Sequence, residues 1–66
     1  MKIRYDQDVD TLTITLNQNA PVDESDETKP GVIFDYDSCG ELVSIEILNA
    51  SDHIGDLSTV DYQRIS

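Results

Sequence analysis

Asp35, Asp37, Gly40 and Glu46 stand at the first, third, sixth and twelfth positions of one window. That is the spacing of a calcium-binding loop set between two helices, which wraps six to eight oxygens around the ion. The fifth position is Cys39, whose soft sulfur suits a hard cation poorly. The flanks, Val32–Phe34 and Val43–Ile47, alternate with the period of strands and carry no helical spacing. In a hairpin, Asp35 and Glu46 belong to rows held apart on a pleated face. The loop spacing is therefore read as hairpin sequence, with Asp35, Asp37 and Glu46 kept as the metal candidates to be checked.

The remaining inventory is sparse. Asp6, Asp8 and Asp10 form a second acidic cluster, and aspartates in turns more often accept their own backbone amides than hold an ion. His53 is the only histidine and Cys39 the only cysteine, so no nucleophile–base–carboxylate set can be assembled. There is no glycine-rich phosphate loop, and no cysteine pair for zinc. The chain is read as a non-enzyme that needs no cofactor.

The elements that position these residues are strands. Ile3 and Tyr5 alternate with Lys2 and Arg4, and Leu12, Ile14 and Leu16 alternate with threonines, whose branched Cβ suits a pleated sheet. A four-residue loop, Gln7 to Asp10, sets Tyr5 opposite Leu12 and Ile3 opposite Ile14, so that one apolar face forms. Asn17 to Gly31 is polar, and Asp23, Glu24, Asp26 and Glu27 read as a solvated acidic loop, with at most a short strand at Val22. A second hairpin follows. A two-residue turn at Cys39–Gly40 pairs Tyr36 with Val43, Phe34 with Ile45 and Val32 with Ile47; a four-residue loop keeps the same parity and a three-residue loop breaks it. Ile3, Tyr5, Leu12, Ile14, Val32, Phe34, Val43, Ile45 and Ile47 then share one buried face. Ile33, Leu42 and Leu48 fall on the other face and are the candidates for a dimer contact. Ala50 to His53 makes at most one helical turn, capped by Asn49 or Ser51. Thr59 to Ile65 alternates as a last edge strand. The predicted fold is mainly β: one domain over residues 1–66, an antiparallel sheet of two hairpins plus a short C-terminal strand.

Ile3-x-Tyr5-Asp6, Asp10-x-Leu12-x-Ile14, Pro30-Gly31-Val32-Ile33-x-Asp35-Tyr36-Asp37-x-x-Gly40 and Ile45-Glu46-Ile47-Leu48-Asn49-Ala50-Ser51 follow one another in this order. Through them the chain resembles the small prokaryotic proteins grouped as domain of unknown function 2283, over nearly its whole length. Cys39 and Ser44 depart from that pattern, at the hairpin turn and in the strand after it. The resemblance implies no activity. Some members resemble products encoded beside small toxin-like proteins, which implies an antitoxin-like role.

Charge narrows the choice of partner. Fourteen acidic residues against four basic ones leave a formal net charge of −10. That balance repels nucleic acid and anionic membranes, and it suits a basic protein or a cation. The N-terminal segment lacks the apolar core of a signal peptide, and the lone thiol fits a reducing compartment, so a cytoplasmic location is expected. The function expected is a protein–protein interaction module, an antitoxin-like partner of a basic protein, with Asp23, Glu24, Asp26 and Glu27 as the partner-binding residues and a homodimer as the assembly. The alternative is a metal- or small-ligand-binding domain that uses the hairpin carboxylates. Calcium decides the metal part. Millimolar calcium is expected to leave the melting temperature unchanged, whereas a rise that disappears in Asp35→Asn would reverse the reading.

Overall fold

In the computed structural model, which describes residues 1–66, Lys2–Asp6 (β1) and Thr11–Thr15 (β2) pair antiparallel. Tyr5 lies opposite Leu12 and Ile3 opposite Ile14, the register that parity requires. The acidic stretch after them is not a loop. Glu24–Lys29 (β3) is a strand paired with Val32–Tyr36 (β4), and Leu42–Leu48 (β5) lies between β4 and β2. The sheet is antiparallel throughout, in the order β1-β2-β5-β4-β3.

β3 forms against the propensity of its residues. Its backbone completes the free edge of β4, and Pro30–Gly31 turns the chain tightly between the two. Gly31 has φ 82°, the conformation that a turn with proline first and glycine second demands. A bulge at Thr28, between Glu27 and Lys29, takes up the twist. All six residues of β3 are exposed, and charge along such an edge discourages strand-to-strand aggregation.

The second hairpin keeps most of its expected register but closes differently. Phe34 faces Ile45 and Val32 faces Ile47, yet Tyr36 pairs with Leu42 rather than Val43. The loop has three residues, Ser38 to Gly40, with the amide of Asp37 donating to the Glu41 carbonyl at 2.9 Å. Gly40 sits at φ 82°, the left-handed position that ends a three-residue loop. Such a loop slips the register by one, and a bulge beside Tyr36 slips it back, leaving Leu42 and Val43 together opposite Tyr36. Leu42 therefore leaves the row of Ile33 and Leu48. The expected apolar register survives because two irregularities cancel.

Register defines rows that cross the whole sheet. One runs Ile3, Ile14, Ile45, Phe34, Asp26, and on the other face one runs Lys2, Thr15, Ser44, Asp35, Ser25. The nine residues expected to form a core do share a face up to Val43, but only Val43 is fully buried. Ile3 is 40% exposed. The fully buried residues are instead Val43, Ala50, Asp35 and Ser44. The reason is that no complete second layer covers the apolar face.

Partial cover comes from the C-terminus. After Ala50–His53 (α1), the chain forms no strand, so the expected strand at Thr59–Ile65 is absent. Residues 54–60 instead run along the apolar side of β1 and β2. Ile54, Leu57 and Val60 line a groove of about 290 Å³ with Ile3, Leu12 and Ile14. Covering apolar side chains outweighs adding hydrogen bonds at an edge that water already satisfies. No helix is long and apolar enough to cross a membrane.

Gly40 offers a clean test of the loop. A Cβ there would meet no atom within 4 Å, so the cost of Gly40→Ala is that of the backbone alone, about 1 kcal/mol. Asparagine tolerates the left-handed region, and Gly40→Asn is expected to cost distinctly less in urea unfolding. Equal costs for the two variants would mean that the loop is not held in this conformation.

Candidate functional site

The polar face holds its most buried side chain at Asp35, 4% exposed. Cross-strand pairing places Ser44 on β5 and Ser25 on β3 on either side of it. The Ser25 hydroxyl donates to Oδ1 and the Ser44 hydroxyl to Oδ2, both at 2.6 Å. Glu46 is two residues beyond Ser44, hence diagonal to Asp35 and within side-chain reach. The two carboxyl groups come close enough for one to hydrogen-bond the other when it carries a proton. The expectation that pleating keeps them apart is corrected here: diagonal neighbours on one face do meet.

Burial alone would raise the Asp35 pKa, but the hydrogen bonds from Ser25, Ser44 and Glu46 outweigh it and hold the group below its ordinary value. Glu46 moves the other way. Its hydrogen bond to Asp35, then burial, then repulsion by the Asp35 charge push it above the ordinary glutamate value of 4.5. Of the two, Glu46 is the group that takes up a proton first as pH falls.

A second carboxylate hub lies at the opposite side of the chain's path. Asp10 closes the β1–β2 loop in the left-handed conformation, φ 51°. Its Oδ1 accepts from the Tyr5 hydroxyl at 2.6 Å and the Ser51 amide at 3.0 Å, and its Oδ2 accepts from the Ser51 hydroxyl at 2.6 Å. Its carbonyl accepts the Ala50 amide at 2.9 Å. The Ser51 bonds, then the Tyr5 bond, hold the Asp10 carboxyl below its ordinary value, and the same contact with Asp10 raises the Tyr5 hydroxyl. The start of α1 is thus capped from 41 residues away. Asn49 makes no side-chain cap, and Ser51 donates its hydroxyl rather than accepting an amide. The sequence signal was faint: one aspartate among three in a turn.

The other carboxylates do local work. Asp37 accepts the amides of Cys39 and Glu41, each at 2.9 Å. Asp6 accepts the Asp8 amide at 3.0 Å, and Glu27 the Gly31 amide at 2.8 Å. Nowhere do three metal-ligating side chains converge. The metal candidates are thus divided: Asp35 and Glu46 pair with each other, and Asp37 holds the turn.

The remaining candidates are scattered. Cys39 is exposed at the hairpin tip, and exposed His53 lies near Gly31. Ile33 and Leu48 stay on the polar face, half-buried, while Leu42 sits opposite Tyr36. Asp23, Glu24, Asp26 and Glu27 are gathered along the β3 edge, all exposed. The Asp23 amide donates to the Tyr36 carbonyl at 2.7 Å, which carries the pairing one residue beyond the strand.

Fold and site together define a class of protein: a small single antiparallel sheet whose strands and turns are pinned by carboxylates. The chain belongs to the family described as protein of unknown function (DUF2283), whose model matches residues 2–51. That span holds all five strands, both hubs and the serines that serve them. No curated protein and no solved structure matches the chain.

The carboxyl pair predicts a pH dependence with a definite sign. Asp35, lowered on folding, stabilises the fold above its unfolded pKa, and that contribution disappears as pH falls through the folded value. Glu46, raised on folding, contributes stability that is complete below 4.5 and is lost as pH rises through the folded value. Stability attributable to the pair therefore peaks at mildly acidic pH. Glu46→Gln keeps a donor toward Asp35 without the charge. It is expected to melt higher than the parent at pH 7 and to show no gain on acidification to about pH 5. Asp35→Asn is expected to lose about 2 kcal/mol at neutral pH, because Ser25 and Ser44 lose their charged acceptor. A parent whose stability is flat between these pH values would refute the coupling of the two carboxyl groups.

Proposed function

We propose that the protein acts by binding another protein, not by catalysis, and that the β3 edge is the surface it offers. What supports this is that three free acidic residues stand together there. Asp6, Asp10, Glu27, Asp35 and Asp37 are engaged within the fold, whereas Asp23, Glu24 and Asp26 accept no hydrogen bond and stand exposed at the rim. An edge strand presents unpaired backbone groups to which an extended segment can add, and side-chain charge then selects the partner. An acidic edge selects a basic one. The proposed role is that of an antitoxin-like partner of a basic protein in the cytoplasm, with the protein itself a homodimer.

Replacing Asp23, Glu24, Asp26 and Glu27 with their amides tests the edge. The partner is captured from the native host, and its binding to parent and variant is compared at low and high salt. The fold is expected to persist, the association rate to fall about tenfold, and the salt dependence to weaken. An unchanged rate with an unchanged salt response would overturn the assignment of this edge.

A further inference from the structure

A sheet that is apolar on one face is stable only when something is layered on that face. Here the cover stops halfway. The C-terminal segment faces β1 and β2, while Val32, Phe34, Tyr36, Ile45 and Ile47 on β4 and β5 remain partly exposed. The dimensions agree. The molecule measures 35 × 33 × 19 Å, with a radius of gyration of 12.7 Å against roughly 11 Å for a compact chain of this length. Its accessible surface is 5188 Å², whereas a compact monomer of this mass exposes about 4,200 Å². The excess is about 1,000 Å², close to the roughly 800 Å² that each partner contributes to a stable interface.

We infer that a second copy of this chain covers the apolar face, so that two sheets stack through Phe34, Ile45 and the C-terminal segment about a two-fold axis. This rests on reading the protein as a homodimer and places the contact on the face opposite Ile33 and Leu48. A self-complementary contact suits the face, because a two-fold axis sets the covered half of each copy against the open half of the other. Stacked sheets lie about 10 Å apart, a distance that side chains from two apolar faces fill. The C-terminal segment supplies further contacts, since Tyr62 is 71% exposed and Ile65 91% exposed in the single copy. A basic partner is the poorer occupant. The two central apolar rows meet acid only at Asp26 on the margin and end at Lys29 in the other row, whereas the acidic edge lies along the rim.

Salt separates this contact from the edge-strand contact. Two copies, each with a net charge of −10, repel one another at long range, so salt tightens the dimer while it weakens binding to a basic protein. The purified full chain is examined by sedimentation from low micromolar to hundreds of micromolar, at low and high salt. The parent is expected to reach twice the monomer mass and to associate more tightly at high salt. Phe34→Lys and the double variant Tyr62→Glu/Ile65→Glu are each expected to weaken association at least about tenfold. The double variant Ile33→Thr/Leu48→Thr, on the other face, is expected to leave it within about twofold. Circular dichroism checks each fold, and if Phe34→Lys unfolds, the C-terminal variant decides, because its side chains are exposed in the single copy. A parent that stays monomeric throughout overturns the inference. So does a dimer lost in Ile33→Thr/Leu48→Thr but kept in the C-terminal variant. A monomer that still binds a basic partner through β3 overturns the dimer alone, and a dimer whose partner ignores β3 charge overturns the edge alone.

Discussion

A sheet has two faces, and sixty-six residues do not supply this one with a full second layer. Everything else in the molecule answers to that constraint. Burying the apolar side of five strands takes either a helix of several turns or another sheet, and this chain has one helical turn and an extended segment. Val43 and Ala50 are the only apolar residues fully removed from water. So small a buried core provides limited hydrophobic stabilisation, which leaves more of the fold's definition to polar contacts than is usual in a globular domain.

Carboxylates provide those contacts. Asp35 ties three adjacent strands through two serines, and Asp10 ties the first hairpin to the helical turn after the last strand. Asp37 and Glu27 close the two turns on either side of β4. Hydrogen bonds to a charged acceptor are worth more than neutral ones, about 1.5 to 3 kcal/mol where desolvated, and a short strand pair benefits accordingly. The net charge of −10 thus divides into two populations. One is spent inside the fold on amides and hydroxyls. The other accepts no side-chain hydrogen bond and stands exposed, at Asp8, Glu41 and Asp52 and as a group of three on the β3 rim, Asp23, Glu24 and Asp26, where it adds to the long-range field that an approaching protein meets.

The two surfaces ask for different neighbours. The apolar face is central and carries charge at its β3 margin, through Glu24, Asp26 and Lys29, and the β3 edge is acidic, exposed and linear. Under the two proposals, a second copy would approach along the normal to the sheet and a basic partner in its plane.

Alternation by itself determined the strands whose side chains choose between water and an apolar face: β1, β2, β4 and β5, the pairings Ile3–Ile14 and Phe34–Ile45, and the family resemblance that runs through them. That information is local, because period-two spacing is carried by the residues themselves. What only the tertiary structure decided was every feature that depends on a neighbour distant in sequence. β3 has the composition of a loop and becomes a strand because the β4 edge is vacant beside it. Thr59 to Ile65 has the spacing of a strand and is none, because the segment leading to it is drawn over an apolar face. Asp10 is one turn aspartate among three until the chain returns 41 residues later with Ser51. Asp35 and Glu46 spell part of a calcium loop, yet on a pleated sheet they become diagonal neighbours whose pKa values move in opposite directions. Hydrogen-bond partners across a sheet are set by register, and register is a property of the assembled strands.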